Sequence, residues 1–148
     1  MRLREVHATY RDVAGAPPIR PRIVTGADAA ALLAPLLAGL LVEHCGVLTL
    51  DTQHRVIGWD VIGIGTLDSC VVHPRDIFRC AILQNAGAVI LAHNHPSGDP
   101  TPSPDDLALT ARMVEAGTLL GIPVIDHLIV GDAAAFASLR STHRSLFT

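Results

Sequence analysis

Ala88-Val89-Ile90-Leu91-Ala92-His93-Asn94-His95-Pro96-Ser97-Gly98-Asp99-Pro100-Thr101-Pro102-Ser103-Pro104-Asp105-Asp106 is the stretch around which the rest of the chain arranges itself. Its first five residues are short, apolar and preceded by Gly87, which suits a buried strand. Polar residues begin abruptly at His93. Two histidines at i and i+2, leaving the end of a strand, place both imidazoles on one side because side chains alternate with period two. Zinc takes imidazole nitrogen and carboxylate oxygen, and a catalytic zinc site supplies three protein ligands with the fourth position left to water. A carboxylate is therefore still needed, and Asp106 is placed to supply it. Ser103 as N-cap, Pro104 at the first helical position and acids in the first turn mark a helix start, to which the Pro- and Gly-dense loop returns the chain.

Each residue also has a plainer reading. A lone histidine is usually a surface or hydrogen-bonded core residue, and nothing singles out His7, His44, His54 or His143. Ser103 and Asp106 taken alone need only cap a helix. The joint occurrence favours the metal, because a cap does not require His-x-His on the preceding strand.

The helix that starts after Ser103 should run to about Leu120, where Gly121 and Pro123 stop it. Residues 124–130 read as another strand, and 133–140 as a weak strand or a short helix. Upstream, 74–85 has helical apolar spacing at Ile77, Ala81 and Ile82, and 46–50 with 55–64 read as a hairpin across the turn 51–54. Before that, Thr25 with Asp28 resembles a capping box, followed by Leu32, Leu33, Leu36, Leu37 and Leu40 at helical spacing. Pro35 is placed to kink that helix. Residues 4–10 alternate, with Val6, Ala8 and Tyr10 on one side, so an edge strand is expected there before Pro17, Pro18 and Pro21 impose an extended connector. Helices alternating with strands predict an α/β or α+β layered domain.

Composition bounds what such a domain does. With 49% apolar and 17% charged residues among 148, the chain is a folding one, long enough for a single core that hides roughly 70% of its unfolded surface. Cys45, Cys70 and Cys80 are odd in number and lack a CxxC pair, which argues for a reducing, cytoplasmic setting and against a cysteine zinc site. The start lacks an apolar leader run, and no later run is long enough for a membrane span, so a soluble, unprocessed protein is expected. A formal charge of -3 disfavours strong binding to nucleic acid. Arg2, Arg4, Arg11, Arg20 and Arg22 nonetheless make residues 1–24 a basic arm ahead of an acidic body.

The segment resembles the JAMM motif of the JAB/MPN metalloprotease domain: HxH, seven residues, SxxD, with an upstream glutamate. Here the residues from Pro96 to Pro102 number seven. The form His93-Asn94-His95-Pro96-Ser97-Gly98, with Leu50-Asp51 before it and Asp126-His127-Leu128-Ile129-Val130-Gly131-Asp132 after it, is similar to the RadC branch of that family. The resemblance covers about residues 25–140. It implies a mixed curved sheet flanked by helices, in the cytidine deaminase-like architecture, over a domain at 25–148. It also implies one zinc ion on His93, His95 and Asp106, a hydroxyl near the reacting carbonyl from Ser103, and a general acid/base at Glu43. Glu43 precedes a strand-like run as the family's glutamate does, but His44-Cys45 follow where the family often has an aromatic residue two positions on. Its plainer reading is a solvated acid at a helix end. Asp51, Asp60 and Asp68 read instead as turn acids, and Glu115 lies far along the following helix. Asp126-His127 is taken as structural or outer support for the ligands.

The chemistry so implied is hydrolysis of a peptide or isopeptide bond, with the tail of a ubiquitin-like modifier as one substrate class. Zinc lowers the pKa of a water in its open position toward roughly 7, and a glutamate can carry that proton to the leaving amine. Two rivals stand beside it. RadC-like proteins carry a DNA-repair name, and commonly a helix-hairpin-helix segment ahead of the domain, where this sequence has some 25 residues. Some MPN proteins have lost their ligands and act as interaction modules, but every motif position is kept here. His93-Asn94-His95 is not an HNH nuclease signature, whose named residues are dispersed through a ββα unit.

Overall fold

The computed structural model describes residues 2–5, 7, 9–12, 14–15, 19–65 and 72–148. Its elements run α1 (Gly26–Leu37), β1 (His44–Leu50), β2 (Val56–Ile64), α2 (Pro74–Leu83), β3 (Ala88–Asn94), α3 (Pro104–Leu120), β4 (Val124–Val130), β5 (Phe136–Ser138) and α4 (Leu139–Thr142), closed by a 3-10 turn at Arg144–Phe147. The five strands form one open sheet in the order β2-β1-β3-β4-β5. Among the described strands only β3 and β4 run parallel, joined by α3 as the crossover, and the other neighbours are antiparallel. The fold is α+β, a mixed sheet between helices.

Side-chain alternation divides the sheet into two faces. Leu48, Leu50, Ala88, Ile90, Ala92, Leu128 and Val130 pack with Leu33 and Leu37 of α1. Cys45, Val47, Val89 and Leu91 pack on the other face with Ile77 and Phe78 of α2 and Met113 of α3. Burial on both faces is why β3 reads as an unbroken apolar run. Truncating a fully buried side chain such as Leu33 or Leu91 to Ala would cost about 2–5 kcal/mol.

The elements predicted from residue 25 onward are present, with informative differences, whereas the described residues among 4–10 carry no strand where an edge strand was expected. Thr25 and Asp28 form the expected reciprocal cap of α1. The buried face of α1 is Ala29, Ala30, Leu33 and Leu37; Leu36 faces solvent and Leu40 lies beyond the helix end. Pro35 sits in its last turn, where the helix stops two residues later. Residues 133–140 resolve into a strand and a helix rather than one of them, because Ser138 ends β5 and caps α4 through Ser141 N–H. The strand β3 continues to Asn94, so His93 lies inside the sheet and not beyond it. Val6, Ala8, Pro17, Pro18, Asp68 and Cys70 lie outside the described residues. The described pairing ahead of α1 is a bridge between Arg22 and Arg55, beside an ion pair from Arg20 to Asp51 at 2.9 Å. Asp51 also accepts from the Gln53 and Arg55 backbones, as a turn acid should.

Candidate metal centre

The two faces of the sheet explain the His-x-His spacing. His93 continues the Val89 and Leu91 series toward α3, while Asn94 continues Ile90 and Ala92 toward the α1 side. Beyond the strand the chain turns at once: Gly98 N–H donates to His95 C=O at 2.9 Å, and Asp132 N–H to Gly98 C=O at 3.0 Å. Gly98 has φ of +83°, and a Cβ there would collide with the Asp132 side chain, so glycine is required. The loop then delivers Ser103, whose hydroxyl accepts from Asp106 N–H at 3.1 Å while its own N–H donates to Asp106 Oδ2 at 2.7 Å. The capping box reading is therefore correct, and it serves the site. It fixes the carboxylate of Asp106 with its oxygens turned to the strand.

His93, His95 and Asp106 converge, and one donor atom from each lies within 4.8 Å of the others. His93 Nε2 is 3.2 Å from Asp106 Oδ1, His95 Nε2 is 3.2 Å from Oδ2, and the two Nε2 atoms are 3.0 Å apart. Two ligands at zinc distances of about 2.0–2.1 Å and a tetrahedral angle would stand ~3.3 Å apart, close to these separations.

Which nitrogen each histidine offers is fixed by the partner of the other. His95 Nδ1 lies 2.8 Å from Asp99 C=O, and since a carbonyl only accepts, Nδ1 carries the hydrogen and Nε2 faces the cluster. His93 is oriented through a longer chain. Thr110 donates its hydroxyl to Asp106 C=O at 2.6 Å, so Thr110 Oγ1 must accept from His127 Nδ1, also at 2.6 Å. His127 Nε2 then bears a lone pair, and it accepts from His93 Nδ1 at 2.8 Å. His93 Nε2 is left for a cation.

Electrostatics agree with this assignment. Complete burial, reinforced by His93, holds the His127 pKa well below that of a free imidazole, so the ring is neutral as the chain requires. Burial alone would raise the Asp106 carboxyl, but hydrogen bonds from His93 and His95 outweigh it and hold the group far below the carboxylate range. The Asp106 hydrogen bond raises His95 against the effect of its own burial, with smaller help from Asp99 C=O and the charges of Asp106 and Glu43. An anion set between imidazoles that need a cation is what a metal would satisfy, and the donor set fits one.

The remaining predicted residues are placed as follows. Ser103 adjoins the cluster through the cap, and because its oxygen accepts there, its own hydrogen remains a donor. Glu43 is not among the three converging groups; it is half-buried in the loop before β1, near enough for its charge to act on His95. Asp60 is not a turn acid: it lies inside β2 opposite Val47 and receives Gln84 Nε2 at 2.9 Å, while Glu115 is exposed on α3. The dipeptide Asp126-His127 divides in role. Asp126 faces the other side of the sheet and accepts from Ser138 Oγ and Arg140 N–H, whereas His127 points at the cluster. Thr110 escaped the sequence reading, although its position one helical turn after Asp106 was the available signal.

The chain matches the RadC-like JAB domain over residues 23–144. It is 54% identical over 99 residues to a UPF0758 protein of Desulforamulus reducens, an alignment covering 67% of this chain and 43% of that protein. A UPF0758 protein of Methanococcoides burtonii is 47% identical over 111 residues, with coverage of 75% and 48%. One from Desulforudis audaxviator is 46% identical over 121 residues, with coverage of 82% and 52%. The chain thus spans about half the length of the curated relatives it matches. Among the described residues no helix is long and apolar enough to cross a membrane. A match over most of the chain, joined to a buried His-His-Asp group that could bind a metal, makes this chain a member of the RadC-like JAB domain family.

Proposed function

We propose that this domain is a zinc-dependent hydrolase of the JAMM type that cleaves a peptide or isopeptide bond. The observation that carries the reading is the convergence of His93 Nε2, His95 Nε2 and Asp106, with both histidines held by hydrogen bonds at Nδ1. Zinc bound there would supply Lewis acidity and lower the pKa of a water in its open position.

The chain's own groups account for the rest. Glu43 takes a proton from the attacking water and delivers it to the leaving nitrogen, which makes C–N cleavage possible without expelling an amide anion. Ser103 donates its free hydroxyl hydrogen to the carbonyl oxygen as that oxygen gains charge. The helix start beneath Ser103 adds the positive end of the α3 dipole on the same side.

Metal analysis followed by a cleavage screen tests this. The purified chain should carry about one zinc per chain, as a three-ligand site requires. With zinc it should cut a member of a panel of modifier fusions and peptide libraries, and lose that activity when stripped by a chelator. Failure to bind any divalent metal would overturn the proposal.

A further inference from the structure

Asn94, the residue between the two histidines, has no place in the chemistry described so far. It is nevertheless 2% exposed and lies on the opposite face of β3 from His93. There its side chain meets the loop that connects α1 to β1. Asn94 Oδ1 accepts from His44 N–H at 2.7 Å, and Asn94 Nδ2 donates to Val42 C=O at 3.2 Å and to Leu40 C=O at 3.3 Å. One donor and two acceptors on the loop fix which end of the amide is which, and three of its four hydrogen-bonding positions go to that loop.

The residue enclosed by these bonds is Glu43. Its two neighbours in sequence, Val42 and His44, are both tied to Asn94, and its own C=O accepts from Gly65 N–H at 2.8 Å. The loop otherwise has little to hold it: Leu41 is 93% exposed and Val42 is 41% exposed. From this geometry we infer that Asn94 is a positioning residue, which sets Glu43 against the metal centre by tying its loop to the segment that carries both histidine ligands. The link is short in covalent terms, because Asn94 is bonded directly to His93 and His95. Movement of the ligand strand and movement of the glutamate are thereby coupled.

An amide is the side chain this task calls for. Aspartate would keep the acceptor for His44 N–H but turn an anion toward the carbonyls of Val42 and Leu40. Alanine would leave His44 N–H and Leu40 C=O to find water, and Val42 C=O with only the His44 ring, whose Nδ1 lies 2.8 Å away.

The inference rests on the proposed role of Glu43, and the test separates the two. Asn94→Ala, Asn94→Asp, Glu43→Gln and the double variant Asn94→Ala/Glu43→Gln are prepared, and each is loaded with cobalt(II) in place of zinc. All should hold about one metal per chain, because the three ligands of a catalytic site are unchanged. Hydrogen exchange should rise at least about tenfold across residues 38–43 in both Asn94 variants and at the His44 amide in Asn94→Ala, with the core strands unchanged. The pH midpoint of the cobalt visible bands should move in Glu43→Gln by about one unit, the usual effect of a carboxylate lost from beside a charged centre. Asn94→Ala and Asn94→Asp should move it the same way, and the double variant no further than Glu43→Gln alone. Should Glu43→Gln shift the midpoint while both Asn94 variants keep the wild-type value, the positioning role is refuted and the general-base role stands. If Glu43→Gln itself leaves the midpoint unmoved, the glutamate assignment fails, and this inference with it. A variant that does not fold is set aside for the other, since Asn94→Asp preserves shape and one of the three bonds.

Discussion

His127 Nε2 lies 2.8 Å from His93 Nδ1, and His127 Nδ1 lies 2.6 Å from Thr110 Oγ1, so a neutral, fully buried imidazole joins a histidine of the candidate metal site to the helix that bears Asp106. The direction of every hydrogen in this chain follows from its last member, the Asp106 carbonyl, which can only accept. Asp106 is thus connected to His93 twice, once across the site and once behind it.

Removing the buried link should weaken metal binding without removing a ligand. For His127→Phe, which keeps a flat ring but no acceptor, the expected loss of zinc affinity is about 10–100-fold, measured by competition with a chromogenic chelator. Thr110→Val is nearly isosteric and frees the His127 tautomer, so it should weaken binding by less. It should also cost about 1–3 kcal/mol in a denaturant titration of the metal-free protein, since a buried N–H loses its acceptor. Unchanged affinity in His127→Phe would show that the tautomer of His93 does not depend on this chain.

The ligands themselves should behave differently from their supports. His93→Ala or Asp106→Ala leaves two donors of three, and the purified variants should carry well under about one zinc per chain by elemental analysis. Full occupancy in either variant would remove that residue from the ligand set. Asp106→Ala should also lower thermal stability, because the same carboxylate closes the cap of α3 through Ser103 N–H.

Proton competition gives the metal site a signed pH dependence. The His95 pKa is raised in the folded, metal-free protein, chiefly by the Asp106 hydrogen bond and despite burial. A raised pKa means that this contact stabilises the fold below the ordinary histidine value of 6.5 and stops doing so as pH climbs through the higher folded value. Metal must displace the same proton. Zinc affinity should therefore keep rising with pH in the window just above 6.5, where a free histidine is already mostly neutral. An affinity already flat at pH 6.5 would contradict the shift.

Much of this site was legible in the sequence because two periodicities and one cap carry it. Period two puts His93 and His95 together, and the Ser103 cap places Asp106 at the start of α3. The apolar run of β3 likewise announced a strand buried on both faces. What stayed hidden depends on pairing across the sheet. Nothing local to Asn94 says that Leu40, Val42 and His44 lie beside it, some fifty residues earlier in the chain. That contact exists because β1 pairs with β3 in the register Cys45 to His93, which propensity and spacing do not encode. The boundary at 133–140 was ambiguous for a related reason: Ser138 and Arg140 are anchored by Asp126, a residue on another strand.

Charge predicts how this chain treats DNA. The body beyond residue 22 has six arginines against twelve acids, so any attraction to a phosphate backbone must come from the arm. Binding of the isolated chain to duplex DNA should be weak, independent of sequence, and lost on raising salt from about 50 to 200 mM. Fluorescence anisotropy with a labelled duplex measures it. Tight binding that persists at about 200 mM salt would favour a nucleic-acid role for the domain.

The sharpest division lies between holding the metal and using it, and Glu43 is where the two part. Glu43→Gln keeps size and hydrogen-bonding capacity but removes the proton acceptor. Since Glu43 is outside the converging His-His-Asp group, zinc content should remain that of the wild type. Its carboxylate contributes a charge to His95, so some change in metal affinity with pH is expected, in the direction of a lower His95 pKa. Cleavage of whichever fusion or peptide the wild type accepts should fall by about 10²–10⁴-fold in kcat, the range typical of general acid-base catalysis. Thermal stability should change little, because the described bonds of this loop are made by its backbone, by Asn94 and by the His44 ring. Equal cleavage by the variant would assign the proton transfer to another group. Loss of zinc would instead make Glu43 a ligand or a support, and a paired measurement of metal content and kcat on the same preparation decides among these outcomes.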